Sequence, residues 1–235
     1  MATLYLIRHG QASFGADDYD KLSGLGCRQA SVLGDYLLKG GIEFDAIYSG
    51  ELLRQRETAQ LACEVQPRQL ELQIDPRFNE IDNDAQIKYL VPEVVKTNTL
   101  VRDLMDRGLS ASKDYQKVIQ AVFNHWVSPE CADPRLQSWE DYSSGVGEAL
   151  RDVMLEQGSG KTVAIFTSGG TIATAVAQVL GLTSEQTYQF YEPIFNCSVT
   201  QLFYSGTRVS LSYFNDRSFL QVLGNQREEN LLSYR

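Results

Sequence analysis

Apolar side chains come in two rhythms along this chain, and the change between them marks out its organisation. Leu4-Tyr5-Leu6-Ile7 is a continuous apolar run, the pattern of a buried strand over residues 3–8. Ser23 is then placed to cap a helix over 24–39, which Gly40-Gly41 ends. Ala46–Ser49 reads as a second short strand, Leu52–Val65 as a helix, and Leu70–Ile74 alternates as a strand should. This β-α-β-α-β order predicts an α/β fold of three layers, α/β/α, with a mostly parallel central sheet.

From about 84 to 158 the period becomes helical and strands disappear, as in the stretches Tyr115–Phe123 and Tyr142–Leu155. These residues form a helical insertion after the third strand, a cap within one domain spanning 1–235. Strand character returns at Thr162–Thr167, which runs directly into Ser168-Gly169-Gly170 and a helix to Leu180. Glycines there let a backbone approach an anion that the helix N-terminus faces. Two late strands, about 198–204 and 208–214, meet at a Ser205-Gly206 turn. Residues Gly224 to Arg235 read as a polar surface tail.

Composition narrows the class. With 235 residues, 43% hydrophobic and 22% charged, the chain has ample material for a core. No basic-then-apolar leader opens it and no apolar run is long enough to cross a bilayer, so a cytoplasmic location away from membranes is expected. A net charge of −9 opposes nucleic-acid binding, whereas a few convergent arginines can still hold one small phosphorylated ligand. The four cysteines, Cys27, Cys63, Cys131 and Cys197, are too scattered for a zinc or dithiol motif.

Chemistry gathers at the ends of the predicted strands: Arg8-His9-Gly10, Arg54 within Glu51–Ala59, Glu80, and Ser168-Gly169-Gly170. Together with Leu22-Ser23-Gly24-Leu25-Gly26 and Gln29-Ala30, the Arg54 to Thr58-Ala59 spacing and Arg77-Phe78-Asn79-Glu80, these pieces resemble the histidine phosphatase superfamily, the phosphoglycerate-mutase-like family. The resemblance covers most of the chain outside the insertion. It implies a phosphohistidine intermediate and no cofactor.

The residue types suit that chemistry on their own account. A neutral imidazole attacks phosphorus in line and divides one hard displacement into two easier ones, a role for His9. Planar guanidinium groups hold phosphoryl oxygens with paired hydrogen bonds, which makes Arg8 and Arg54 the clamps. A carboxyl group beside an anionic phosphate is favoured in its acid form, so Glu80 protonates the leaving group and later activates water. Gln11 adds a neutral donor, and arginines take the place of a metal. The expected activity is a metal-independent phosphomonoesterase acting on a small phosphorylated metabolite, with inorganic phosphate as its product ligand.

The resemblance places a second histidine where this chain has Ser168. Ser168 and the Gly169 N–H can each donate one neutral hydrogen bond, but a positive charge is missing, a deficit on the order of 10²–10³ in rate by analogy with losing one transition-state donor. Arg28 and Arg56 are candidates to compensate; His125, the chain's other histidine, sits in the insertion apart from any matching motif. Phe14-Gly15 stands where mutases carry Trp-Asn. A mutase, a protein phosphatase and a catalytically weak phosphate-binding protein remain the alternatives, and Ser168 by itself also reads as a simple helix N-cap.

Overall fold

The computed structural model describes residues 1–13, 20–109 and 111–234. The Phe14-Gly15 pair lies outside the described residues. Strands β1 (Ala2–Arg8), β2 (Ala46–Ser49), β3 (Leu72–Ile74), β4 (Thr162–Thr167), β5 (Val199–Ser205) and β6 (Arg208–Asp216) form one sheet in the order β3-β2-β4-β1-β5-β6. β1, β2, β3 and β4 pair in parallel; β5 is antiparallel to β1, and β6 to β5. Gly206, at a φ of 60°, makes the β5–β6 turn in a left-handed conformation that favours glycine.

Strand alternation splits the core into two layers. Leu4 and Leu6 of β1, with Val163 and Ile165 of β4, face one apolar cluster; Tyr5 and Ile7, with Ala164 and Phe166, face the other. The second cluster is closed by α1 (Gly24–Lys39), α2 (Leu53–Cys63) and α9 (Ser218–Arg227). Ser23 caps α1 by accepting from the Gly26 N–H, and Ala30, Leu33 and Leu37 repeat at helical spacing on its buried face. α1 and α2 cross so closely that a Cβ on Gly34 would sit 2.7 Å from the Ala62 carbonyl oxygen.

The first cluster lies under α3 (Asn83–Thr97), α4 (Thr99–Arg107), α5 (Ser112–Trp126), α6 (Trp139–Gln157), α7 (Gly169–Leu180) and the short α8 (Tyr188–Tyr191). The stretch between β3 and β4 is therefore helical, as its periodicity predicts. Inside it Phe123, Trp126, Trp139 and Tyr142 pack ring against ring at centroid separations of 5.3–6.3 Å. Among the described residues, no helix is long and apolar enough to cross a membrane.

The carboxyl end of the chain departs from expectation. Residues 224–234 are not a free polar tail: α9 runs to Arg227, Gly224 is packed against the Glu229 carbonyl, and Leu231 is 2% exposed. Gln29 of α1 donates to the Leu231 carbonyl and to Ser233 Oγ, and Arg28 pairs with Glu229. The Leu231-Leu232 pair gives this segment enough apolar surface to dock, although the residues around it are polar.

Candidate active site

Parallel pairing of β1 and β4 sets Arg8 opposite Thr167, so both strands deliver their following loops to the same sheet edge. This is the carboxyl edge, where open α/β sheets place ligands. The His9 N–H donates to the Thr167 carbonyl at 2.9 Å, and the His9 carbonyl accepts from Asn196 Nδ2 at 3.1 Å. Gly10 is required by its neighbours: a Cβ there would meet the Gly26 carbonyl oxygen at 2.6 Å. Thr58 fastens the loop to α2, accepting from the Gly10 N–H at 3.0 Å while donating to the Arg54 carbonyl at 2.6 Å.

His9 is buried, and its ring nitrogens have distinct partners. Nδ1 lies 2.7 Å from the Gly10 carbonyl oxygen, which can only accept; Nε2 lies 3.2 Å from Arg54 Nε, which can only donate. The proton therefore belongs on Nδ1 and the lone pair on Nε2. Burial, then the charges of Arg8 and Arg54, hold the imidazole pKa well below 6.5, against a smaller opposing pull from Gly10. The ring is neutral near pH 7 and its lone pair points at a guanidinium.

Arg54 is oriented from both sides. Its Nη1 pairs with Asp20 Oδ1 at 2.5 Å, while Asp20 Oδ2 accepts from the Leu53 N–H at 2.7 Å at the start of α2. Glu57 and Glu51, its acidic neighbours on the chain, are engaged elsewhere, by the Leu22 N–H and by Asn79 Nδ2. Arg8 Nη1 donates to the Ile194 carbonyl, and to the Tyr234 carbonyl at 3.0 Å. Gln11 also ties this loop to α1: its N–H donates to Gln29 Oε1 and its Oε1 accepts from Ser23 Oγ.

Glu80 lies across the site at the start of α7. Its Oε1 accepts two backbone donors, Gly170 N–H at 2.9 Å and Ile81 N–H at 3.0 Å, leaving Oε2 to carry a proton. Burial raises its pKa; Arg8, Arg54 and the two N–H groups pull it back, and the net shift is upward. The carboxyl presses so close to α7 that a Cβ on Gly170 would be 2.4 Å from Oε1. The loop leading to it is held by Thr167 Oγ1 donating to the Phe78 carbonyl and Thr171 Oγ1 to the Asn79 carbonyl.

Gly169 lies beneath Tyr191, whose ring would be 3.1 Å from a Cβ there, with Arg8 Nε at 3.8 Å. Ser168 is fully buried and precedes α7, yet its side chain makes no capping bond. Instead its Oγ accepts from Gln55 Nε2 at 2.8 Å. Ser168 is thus the N-cap residue of α7 by backbone position, its carbonyl accepting from the Ile172 N–H, but its hydroxyl does not cap the helix.

The family profile described as the histidine phosphatase superfamily (branch 1) matches residues 4–99 and 103–217. The chain belongs to the histidine phosphatase superfamily. Similar solved structures include a phosphoserine phosphatase variant from Entamoeba histolytica in complex with phosphoserine, at 21% identity and a TM-score of 0.65, covering 94% of this chain and 100% of that one. A phosphoglycerate mutase from Bacillus anthracis str. Sterne matches at 21% identity and TM-score 0.64, over 93% and 94% of the two chains. A mycobacterial glucosyl-3-phosphoglycerate phosphatase complexed with VO3 matches at 21% and 0.62, over 91% and 98%. They share this fold. No curated protein sequence matches the chain.

Of the residues singled out from the sequence of this superfamily member, Arg8, His9, Arg54 and Glu80 converge, with Gly169 and Ser168 beside them. Arg28 pairs with Glu229, Arg56 is exposed on α2, and His125 in the last turn of α5 makes none of the site's contacts. Arg77 pairs with Asp75 and Asp152 away from the site. Among the described residues, no group of three or more His, Cys, Asp or Glu side chains could hold a metal ion. Sequence reading missed Asp20, Asn196 and Gln55. Gln55 carried a signal, a polar residue in register with Thr58, Ala59 and Ala62 on the buried face of α2.

Proposed function

We propose that this protein hydrolyses small phosphomonoesters through a covalent phosphohistidine on His9. The observation that carries the reading is the pair of contacts on the imidazole, Nδ1 to the Gly10 carbonyl and Nε2 to Arg54. In the first step the Nε2 lone pair attacks phosphorus and the bond to the ester oxygen breaks, with Arg8 and Arg54 holding the equatorial oxygens. Glu80 passes its Oε2 proton to the departing alkoxide. The phosphorylated ring keeps its Nδ1 proton, and the Gly10 carbonyl stabilises the resulting positive charge. In the second step Glu80, now a carboxylate, takes a proton from water as the water oxygen attacks phosphorus. The N–P bond breaks, the Nε2 lone pair is restored and inorganic phosphate leaves.

Gln11 and Gly169 complete the phosphate-binding set in this reading, and the helices within 84–158 act as a cap, in one domain of 1–235, that selects the rest of the substrate. The phosphatases among the solved neighbours support hydrolysis as the reaction class, and phosphoserine and VO3 in their structures support a small phosphorylated ligand. A second reading, a phosphate-sensing protein with little turnover, is favoured by one observation: Ser168 and its partner Gln55 are both uncharged. Purified protein assayed without added metal against a panel of phosphomonoesters, beside His9→Ala, separates the two. Turnover that disappears in the variant supports the hydrolase; tight phosphate binding with no turnover on any ester overturns it.

A further inference from the structure

Gln55 is fully buried on the inner face of α2, next in sequence to Arg54. Its Nε2 donates to two acceptors, the Phe78 carbonyl at 3.0 Å and Ser168 Oγ at 2.8 Å. Its Oε1 has no hydrogen-bond partner among the described residues, and it lies so tightly over Gly50 that a Cβ there would be 2.1 Å away. Turning the amide over would set Oε1 against the Phe78 carbonyl, oxygen to oxygen, so the donor sense of Nε2 is dictated by its surroundings.

That donor sense has a consequence for Ser168. Both Nε2 hydrogens are spent, one of them on Ser168 Oγ, so the hydroxyl proton must point away from Gln55. Among the described residues no carbonyl or carboxylate accepts it. Ser168 lies between Thr167, whose carbonyl holds the His9 N–H, and Gly169, which abuts Arg8. We infer that Gln55 is a positioning residue that turns the Ser168 hydroxyl toward the phosphoryl oxygens between His9 and Arg8. Donation into Oγ also polarises the hydroxyl and strengthens it as a donor. The Gln55–Ser168 pair is thus a neutral substitute for a cationic phosphate contact. This inference rests on the phosphate-binding reading of the site, not on turnover.

A double-mutant cycle on the full chain tests it, with inorganic phosphate and orthovanadate as probes and binding measured by calorimetry. Ser168→Ala and Gln55→Met should each weaken orthovanadate binding about tenfold, the worth of one good hydrogen bond. The double variant should bind no more weakly than Ser168→Ala. Wild-type affinity in Gln55→Met, or losses that multiply in the double variant, would overturn the inference, since a merely structural Gln55 acts equally in either background. Should Gln55→Met fold poorly, Gln55→Glu keeps the volume but offers Ser168 an acceptor, drawing its proton away. A loss like that of Ser168→Ala is then expected, and unchanged affinity overturns the proposal. A wild type that binds vanadate yet hydrolyses no ester sinks the hydrolase reading while the cycle still scores Gln55. A wild type that binds neither probe overturns both.

Discussion

Arg54 Nε lies 3.2 Å from His9 Nε2, so a guanidinium touches the nitrogen that carries the imidazole's lone pair. This contact needs Arg54 to serve two neighbours at once, His9 through Nε and Asp20 through Nη1. A lysine ammonium is a point charge without that fork. Arg54→Lys should therefore lower kcat/KM by about 10²-fold, as expected for losing an oriented transition-state donor, while thermal unfolding changes little. Steady-state kinetics beside a melting curve checks both halves.

Thr58 ties the nucleophile loop to α2. Thr58→Val keeps the shape but leaves the buried Gly10 N–H without its acceptor, at a cost of about 1–3 kcal/mol. Denaturant unfolding should show that loss, with a fall in kcat as His9 loses its fixed placement.

Glu80 gives a pH prediction whose sign follows from its raised pKa. Because the folded value lies above the unfolded one, the carboxyl's contribution to stability is complete below the unfolded pKa and is lost as pH rises through the folded pKa. Glu80→Gln should melt above the wild type at alkaline pH, with the gap closing on acidification. The same substitution should lower kcat by about 10²–10⁴ and remove the alkaline limb of the rate profile, because that limb reports loss of the acid. The acidic limb, set by His9 well below pH 6.5, should stay. A Glu80→Gln variant that melts below the wild type across the range contradicts the burial argument.

Gly170→Ala tests how Glu80 is held. The new methyl would meet Glu80 Oε1 and Ile81 Cδ1 at 2.4 and 2.5 Å, displacing the carboxyl. Turnover of alkyl phosphates, which need a proton on the leaving oxygen, should fall at least about tenfold, and that of aryl phosphates with acidic leaving groups much less. Equal losses on both would argue that the substitution simply disrupts the fold.

How far these residues could be read in advance depends on the range of their contacts. The runs at Leu4–Ile7 and Thr162–Thr167 announce buried strands, and side-chain alternation alone sends Leu6 and Ile7 to opposite layers. Ser23, Gly40 and Gly206 carry their meaning locally as caps and turns. Asp20 does not: it reaches Leu53 and Arg54 across more than thirty residues, with no spacing to give it away. The docked tail escaped for a similar reason, since Leu231 and Leu232 are a short apolar signal among polar neighbours, and their receiving surface on α1 belongs to a distant part of the chain. Ser168 suggested a cap because helix starts favour serine. Only the packing of α2 against β4 brings Gln55 to it, where the amide donates to the Ser168 oxygen.

The covalent intermediate is the centre of this account, and a single-turnover reaction tests it most directly. Enzyme in excess is mixed with a radiolabelled phosphomonoester, quenched rapidly without acid to preserve the phosphoramidate bond, and digested for peptide mapping. The account predicts label on the peptide containing His9, appearing and decaying as inorganic phosphate forms, and absent from His9→Ala. Release of phosphate at the wild-type rate from His9→Ala would contradict it.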